Sequence, residues 1–208
     1  MEERSPVIAS AVSGSRSGTG LPRRLRIPIM VQAVSVPQVD PVSARDLEVT
    51  ALMDALTSEL ALGGYTATET FGYSVEQLES SQIYLVGASI DGRLVGVGGV
   101  ELQDAGIGEL KRFFVLPDYR GTGVADELIT ALTKYATDYG LDLLRLETGD
   151  RQQSAVAFYR RHGFVAVSRF GPYLQSATSI CMERRCNPDE GGRSVRSVEN
   201  SGGEEVAQ

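Results

Sequence analysis

The stretch Arg120-Gly121-Thr122-Gly123-Val124-Ala125 constrains this chain more than any other. It joins an apolar, strand-like run, Leu110 to Leu116, to a helix-like run from about Val124 to Tyr139. In the second run Val124, Leu128, Ala131, Leu132 and Tyr135 recur at i, i+4, i+7, i+8 and i+11, which is one face of an amphipathic helix. A glycine-rich turn running into a helix start leaves several backbone N–H groups without intrahelical partners, and the positive end of the helix dipole adds to their field. Such a turn holds anions, phosphate above all. Gly121 and Gly123 let the backbone approach the anion with no Cβ in the way.

Three phosphate-binding loops compete for this stretch. A Walker loop needs Gly-Lys followed by Ser or Thr, where this chain has Val124-Ala125. A dinucleotide fingerprint needs a third small residue where Asp126 stands. The pattern Arg/Gln-x-x-Gly-x-Gly/Ala fits at Arg120, Gly123 and Ala125. Downstream lies a second motif, Gln152-x-x-Ala155-x-x-Phe158-Tyr159-x-x-x-Gly163-Phe164. On these two motifs the chain resembles the GNAT superfamily of acyl-CoA N-acyltransferases, whose second pattern reads Asn-x-x-Ala-x-x-hydrophobe-Tyr-x-x-x-Gly-Phe.

The resemblance implies a set of roles. Acetyl-CoA is the expected co-substrate, its pyrophosphate held on Arg120, Gly121, Thr122, Gly123, Val124 and Ala125. Tyr159 is the expected general acid for the leaving thiolate. Reference pKa values of about 10 for Tyr and 8.5 for a thiol make full transfer roughly 2 kcal/mol uphill in water, so a hydrogen bond to the departing sulfur is the larger part of that role. Gln152 replaces the family's usual Asn, and its longer amide arm is expected to reach the pantetheine. The strand Glu109 to Val115 is expected to splay from Leu141–Glu147, so that Phe113 and Val115 pair with the pantetheine like a missing strand. The N–H near Val115 is a candidate to polarise the thioester carbonyl.

An amine attacks a thioester only when neutral, so a proton acceptor is wanted. Glu109 is the first candidate, on the same alternating face as Lys111, Phe113 and Val115. Lys111 equally offers to neutralise Glu109 and leave it structural. Glu147 ranks below Glu109, and deprotonation by bulk solvent stays open. Phe170-Gly171-Pro172-Tyr173, with Leu146-Glu147-Thr148-Gly149, resembles a bacterial GNAT subgroup of small acetyltransferases. Phe170 and Tyr173 are therefore expected near the acceptor end; the alternative is a turn anchored by two aromatics.

The chain has 208 residues and a net charge of −7. Residues 1–30 carry five Arg against two Glu, and residues 186–208 two Arg against five acids, which leaves 13 basic and 20 acidic residues between them. That field argues against nucleic acid or an anionic membrane as partner and mildly favours a cationic amine. Cys181 and Cys186, without a second pair, indicate neither a disulfide framework nor a zinc site, and His162, the single histidine, builds no metal cluster. Reduced thiols in the cytoplasm are the expectation.

Residues 1–26 read as a disordered tail, 27–185 as one domain, and 186–208 as a second disordered tail. Met30 is a second candidate start. Expected elements are a strand at 27–36, a helix at 44–62 stopped by Gly63-Gly64, and a capping box at Ser74 to Gln77. A hairpin follows, 83–90 and 94–102, about Asp91-Gly92. Then come a strand at 106–116, a helix at 123–139, a strand at 141–147, a helix at 153–161, and a strand pair at 164–168 and 178–183. The fold class is mixed α/β, and the order matches that of GNAT proteins with their splayed central strand pair.

The expected activity is transfer of an acetyl group from acetyl-CoA to a primary amine, small-molecule or protein-borne, by direct attack through a tetrahedral intermediate. Neither metal nor covalent enzyme intermediate is implied. GNAT proteins often dimerise, so a homodimer is part of the same expectation. Two rivals stand beside it: a CoA-binding module that has lost catalysis, and O-acyl or longer-chain transfer. Retention of Tyr159 argues against the first, since a mere binder has no thiolate to stabilise.

Overall fold

The structure, a computed structural model, describes residues 35–66, 69, 73–81, 83–103 and 105–186. Both expected tails lie outside these residues, except Cys186. So does the strand expected at 27–36, apart from residues 35–36, which are not strand. The first strand, β1, is Gln38–Pro41. It is a short, mostly exposed edge strand ending on proline, a residue that sheets tolerate at an edge.

The remaining elements follow the expected order. They are α1 (Leu47–Leu62), α2 (Val75–Ser80), β2 (Tyr84–Ile90), β3 (Arg93–Gln103), β4 (Ile107–Val115), α3 (Val124–Asp138), β5 (Leu143–Gly149), α4 (Gln153–Arg161), β6 (Val165–Val167) and β7 (Ser179–Arg185). They build one seven-stranded sheet in the order β1-β2-β3-β4-β5-β7-β6. Every pairing is antiparallel except β4 with β5. At the β2–β3 turn, Asp91 and Gly92 take φ of 50° and 76°, the two positive values that a tight hairpin turn requires. The capping box forms as expected, Ser74 Oγ accepting from Gln77 N while Gln77 Oε1 accepts from Ser74 N.

Helices cover both faces. Val124, Leu128, Ile129 and Leu132 of α3 are fully buried against one side of the sheet, together with Val156 and Tyr159 of α4. Val49, Leu52, Met53 and Leu56 of α1 and Leu78 of α2 pack with Val97 and Phe114 on the other side. Among the described residues no helix is long and apolar enough to cross a membrane.

Two irregularities of β4 shape the site. First, β4 and β5 pair only from Ile107 to Glu109 against Leu143 to Arg145. Beyond Glu109 the strands diverge, and the β5-side edge of β4 has no strand partner among the described residues, which is the splay that the sequence led us to expect. Second, β4 carries a bulge: Val97 faces Phe114 and Gly99 faces Lys111, so Arg112 and Phe113 together oppose Gly98. Arg112 takes φ of 55°, a left-handed conformation. One extra residue reverses the alternation of faces. Phe113 and Val115 pack with α3 and α4, whereas Lys111 and Glu109 point to the side of Tyr73 and Tyr173. The single face expected for Glu109, Lys111, Phe113 and Val115 is thus corrected to two.

Candidate active site

A cleft of about 590 Å³ opens where β4 and β5 part. Its floor is the free edge of β4, and α1, the loop before α3, and α4 form its walls.

One end has the backbone features of an anion site. A 3₁₀ turn, Pro117–Tyr119, reverses the chain after β4 and delivers it to the glycine loop. Gly121 and Gly123 take φ of 74° and 94°, and nothing lies within 4 Å of where a Cβ would stand on either. The first backbone bond of α3 runs from Glu127 N to Gly123 O, and no side chain caps the helix. The N–H groups of Gly123, Val124, Ala125 and Asp126 therefore find no acceptor among the described residues, as expected at an uncapped helix start. Gly121, Gly123 and Ala125 line the cleft; Thr122 and Val124 do not. Thr122 Oγ1 donates to Tyr119 O at 2.7 Å, and the Val124 side chain is sealed in the core. Only their backbones serve the loop. Arg120 lines the cleft but turns its guanidinium back: Nε donates to Val115 O at 3.0 Å and Nη2 to Glu59 Oε2 at 2.6 Å. It ties the loop to β4 and α1. The acid in the first turn of α3, Asp126, accepts from Arg161 Nη2 at 3.0 Å and meets His162 Nε2 at 2.9 Å. The Arg161 hydrogen bond holds its carboxyl below the usual range, and His162 adds to this.

Tyr159 is placed by the helix that carries it. At the end of α4, Gly163 takes φ of 82°, Gly163 N bonds Arg160 O, and Phe164 N bonds Tyr159 O. This is a Schellman stop, which only a residue at ease in the left-handed region closes without strain. Phe164, fully buried, sets its ring 5.7 Å from that of Tyr159. Phe113 and Phe158 complete the cage at 6.0 and 5.4 Å. The Gly-Phe pair of the second motif is thus the mount for the tyrosine. The ring is buried, yet Tyr159 lines the cleft and its hydroxyl makes no hydrogen bond among the described residues. Burial pushes its pKa well above the ordinary tyrosine value, and the charge of Glu147 adds to the rise. Gln152 also lines the cleft. Its Oε1 is already used, accepting from Thr148 Oγ1 at 2.7 Å and Gly149 N at 3.3 Å, so its Nε2 is the group left for a ligand.

The other end holds acids, and of the two readings offered for Glu109 the structure has the one in which Lys111 neutralises it. Glu101 and Glu109 stand directly opposite on β3 and β4, a repulsive pair unless a cation joins them. Lys111 does so, with Nζ 2.6 Å from Glu109 Oε1 and 3.6 Å from Glu101 Oε2. Tyr173 OH donates to Glu109 Oε1 at 2.6 Å, and Tyr73 OH binds Glu101. Glu109, 5% exposed, is not among the residues lining the cleft. Glu147 does line it. Burial pushes the Glu147 carboxyl above the usual range, against a 2.5 Å hydrogen bond from Ser179 Oγ and the charge of Lys111. Tyr173 lines the cleft, but Phe170 does not: its ring lies under the Arg145 guanidinium and edge-on to Tyr173.

The sequence reading missed Tyr73, Arg112 and Tyr65. Tyr65 crosses over Gly149 so closely that a Cβ there would come within 2.1 Å of its hydroxyl. The same hydroxyl accepts from Arg151 N at 2.7 Å. The glycine that ends β5 was the available signal, because a strand end without a side chain marks a close approach. Among the described residues no group of His, Cys, Asp or Glu is arranged to hold a metal ion.

Proteins of similar sequence and fold give an independent comparison. The IAA acetyltransferase of Azospirillum brasilense is 34% identical over 121 residues, 58% of this chain and 79% of that protein. A Klebsiella pneumoniae structure assigned to the acyl-CoA N-acyltransferases superposes with a TM-score of 0.64 at 30% identity, covering 73% of this chain and 99% of that one. The PaiA N-acetyltransferase of Thermoplasma acidophilum, solved in complex with coenzyme A, shares the fold at 20% identity and a TM-score of 0.60, over 72% of this chain and 99% of that one. The model of the acetyltransferase (GNAT) family matches residues 50–164, a span that holds β2 to β5, the glycine loop and Tyr159. By that match, and by a relative aligned over most of its length, the chain belongs to the GNAT acetyltransferase family.

Proposed function

We propose that the protein transfers an acetyl group from acetyl-CoA to a primary amine. The observation that carries this reading is a tyrosine hydroxyl with no hydrogen-bond partner among the described residues, standing in the same cleft as an uncapped, glycine-lined helix start. The donor fits the residues present. The N–H groups of Gly123 to Asp126 and the space beside Gly121 and Gly123 suit its pyrophosphate. The free edge of β4, with Phe113 and Val115 behind it, suits the pantetheine arm, and Gln152 Nε2 offers a further donor. When bound, acetyl-CoA supplies the thioester that the amine attacks.

The chain's own groups divide the remaining work. Tyr159 holds its proton firmly and donates a hydrogen bond to the departing sulfur. We place acceptance of the amine proton on Glu147 rather than Glu109. Glu147 lines the cleft, burial raises its carboxyl above the usual range, and its Ser179 bond fixes the orientation. Glu109 is committed to Lys111 and Tyr173. A general base works best with a pKa near the operating pH, which favours the raised group.

The test combines calorimetric titration with acetyl-CoA and an assay of thiol release, with mass detection of acetylated product, over a panel of amines. Micromolar binding with amine-dependent product supports the reading. Binding without transfer to any amine, alcohol or water would move the protein to the non-catalytic CoA-binding class.

A further inference from the structure

Of five basic residues lining the cleft, three are paired: Lys111 with Glu109 and Glu101, Arg120 with Glu59, and Arg161 with Asp126. Arg151 is exposed to water and donates to the carbonyls of Gly63 and Gly64. Arg112 is different. It is half-buried, it has no ion-pair partner among the described residues, and its Nη2 donates only to Tyr73 O, at 2.9 Å. Its Nε is sealed from solvent with no acceptor at all, the single buried side-chain nitrogen or oxygen of which this is true among the described residues. Burial pulls its pKa down and no carboxylate opposes the shift. A half-buried guanidinium with no counter-charge among the described residues is costly, and an anion in the cleft, meeting the nitrogens that are not sealed, is what would offset it.

The backbone adds a second observation. Arg112 is the bulge residue with φ of 55°, a conformation that costs a non-glycine residue roughly 1–2 kcal/mol. Local strain of this kind persists where the surroundings impose it, and it clusters at ligand sites. The bulge also sets Arg112 one residue past Lys111, in the wall of the cleft that Glu147 and Tyr173 share. Of the cleft carboxylates near this end, Glu69 is held by Thr66 and Thr178, Glu147 is bonded to Ser179, and Arg112 is a cation with no counter-charge among the described residues.

Resting on the acetyl-transfer reading, we infer that the acceptor carries a carboxylate besides its amine, and that Arg112 is the residue that binds that carboxylate. The substrate class is an amino acid or another amino-carboxylate. A polyamine or a simple alkylamine, which leaves Arg112 unpaired, is the disfavoured class.

The test pairs acids with their uncharged amides: β-alanine, 4-aminobutyrate, 6-aminohexanoate and L-phenylalanine, each beside its carboxamide, assayed with the full chain and acetyl-CoA. For the acid of correct spacing, kcat/KM exceeds that of its amide by about tenfold or more, the value of one charge-assisted hydrogen bond. Arg112→Gln removes that preference through KM, and Arg112→Lys restores part of it. Equal rates for acid and amide in the wild type, or equal losses for both in Arg112→Gln, overturn the inference and leave acetyl transfer standing. A binding arm needs no turnover: 3-phenylpropionate and hexanoate are titrated into the CoA-loaded protein, with 3-phenylpropionamide and hexanamide as controls. Binding of the acids alone, lost in Arg112→Gln, supports the inference even if no amine is acetylated, in which case the acetyl-transfer reading alone fails. Absence of acid binding together with no acid preference in turnover overturns it.

Discussion

Replacing Tyr159 by Phe separates chemistry from architecture, because the hydroxyl has no hydrogen-bond partner among the described residues. The rings of Phe113, Phe158 and Phe164 pack on the part of the side chain that the substitution keeps. No buried donor or acceptor is orphaned, so the stability change stays within about 0.5 kcal/mol, or about 2 °C in Tm for a domain of this size. On the acetyl-transfer reading, what is lost is one hydrogen bond to a group gaining negative charge. Such bonds contribute about 1.5–3 kcal/mol, which converts to a fall in kcat of roughly 10- to 150-fold. Acetyl-CoA affinity, set mainly by the glycine loop and β4, changes by less than about threefold. The assay is steady-state thiol release beside calorimetry and a thermal melt on the same preparation. Because burial raises the Tyr159 pKa, the proton is held throughout pH 7–10, and the ratio of wild-type to variant rate stays constant across that window. An unchanged kcat, a matching loss of acetyl-CoA affinity, or a ratio that collapses between pH 8 and 10 would refute the assignment.

Glu147→Gln lowers kcat/KM and removes an acid limb lying above the ordinary carboxylate range; survival of that limb would identify another proton acceptor. Since the folded pKa of Glu147 is raised, its contribution to stability is present below the unfolded pKa and lost as pH rises through the folded one. The variant escapes that loss, so it melts no lower than wild type at pH 8 while any advantage fades by pH 4. Lys111→Met leaves Glu101 and Glu109 facing each other without their cation and costs about 3–5 kcal/mol in urea unfolding. Adding Glu109→Gln recovers most of it, and a loss below about 1 kcal/mol would show that the cluster is not a structural unit. Gly123→Glu abolishes calorimetric binding of CoA, while Gly123→Asn, whose side chain tolerates the left-handed backbone, binds measurably. Equal binding by both would remove the loop from the site.

What was legible in the sequence is local. The Asp91-Gly92 turn, the Ser74 capping box, the limits of α4 and the glycine loop follow from residue types within a few positions of one another. The bulge at Arg112-Phe113 carries no glycine or proline to announce it, and its effect is to invert every side chain after it. Ranking Glu109 above Glu147 stood beside the alternative that Lys111 neutralises Glu109, and that contact, two positions along one strand, is the one found. Tyr173, the other group that commits Glu109, is brought to it by the fold, which no spacing rule reports. The edge strand β1 escaped notice because an exposed edge is held by its backbone and needs little apolar pattern.

The divergence of β4 from β5 has a thermodynamic consequence. A sheet that stops pairing after three residues on one side is an unfinished hydrogen-bond ladder, and on the proposed reading its missing rung is supplied by the pantetheine arm. Occupancy of the gap is thereby coupled to the cohesion of the two half-sheets on either side of it. A ligand held at a hundred times its Kd adds about 2.7 kcal/mol to unfolding. Amide exchange would register the same coupling locally: slow for Ile107 to Glu109 whether or not the gap is filled, and fast in alternate residues from Leu110 to Val115 until it is.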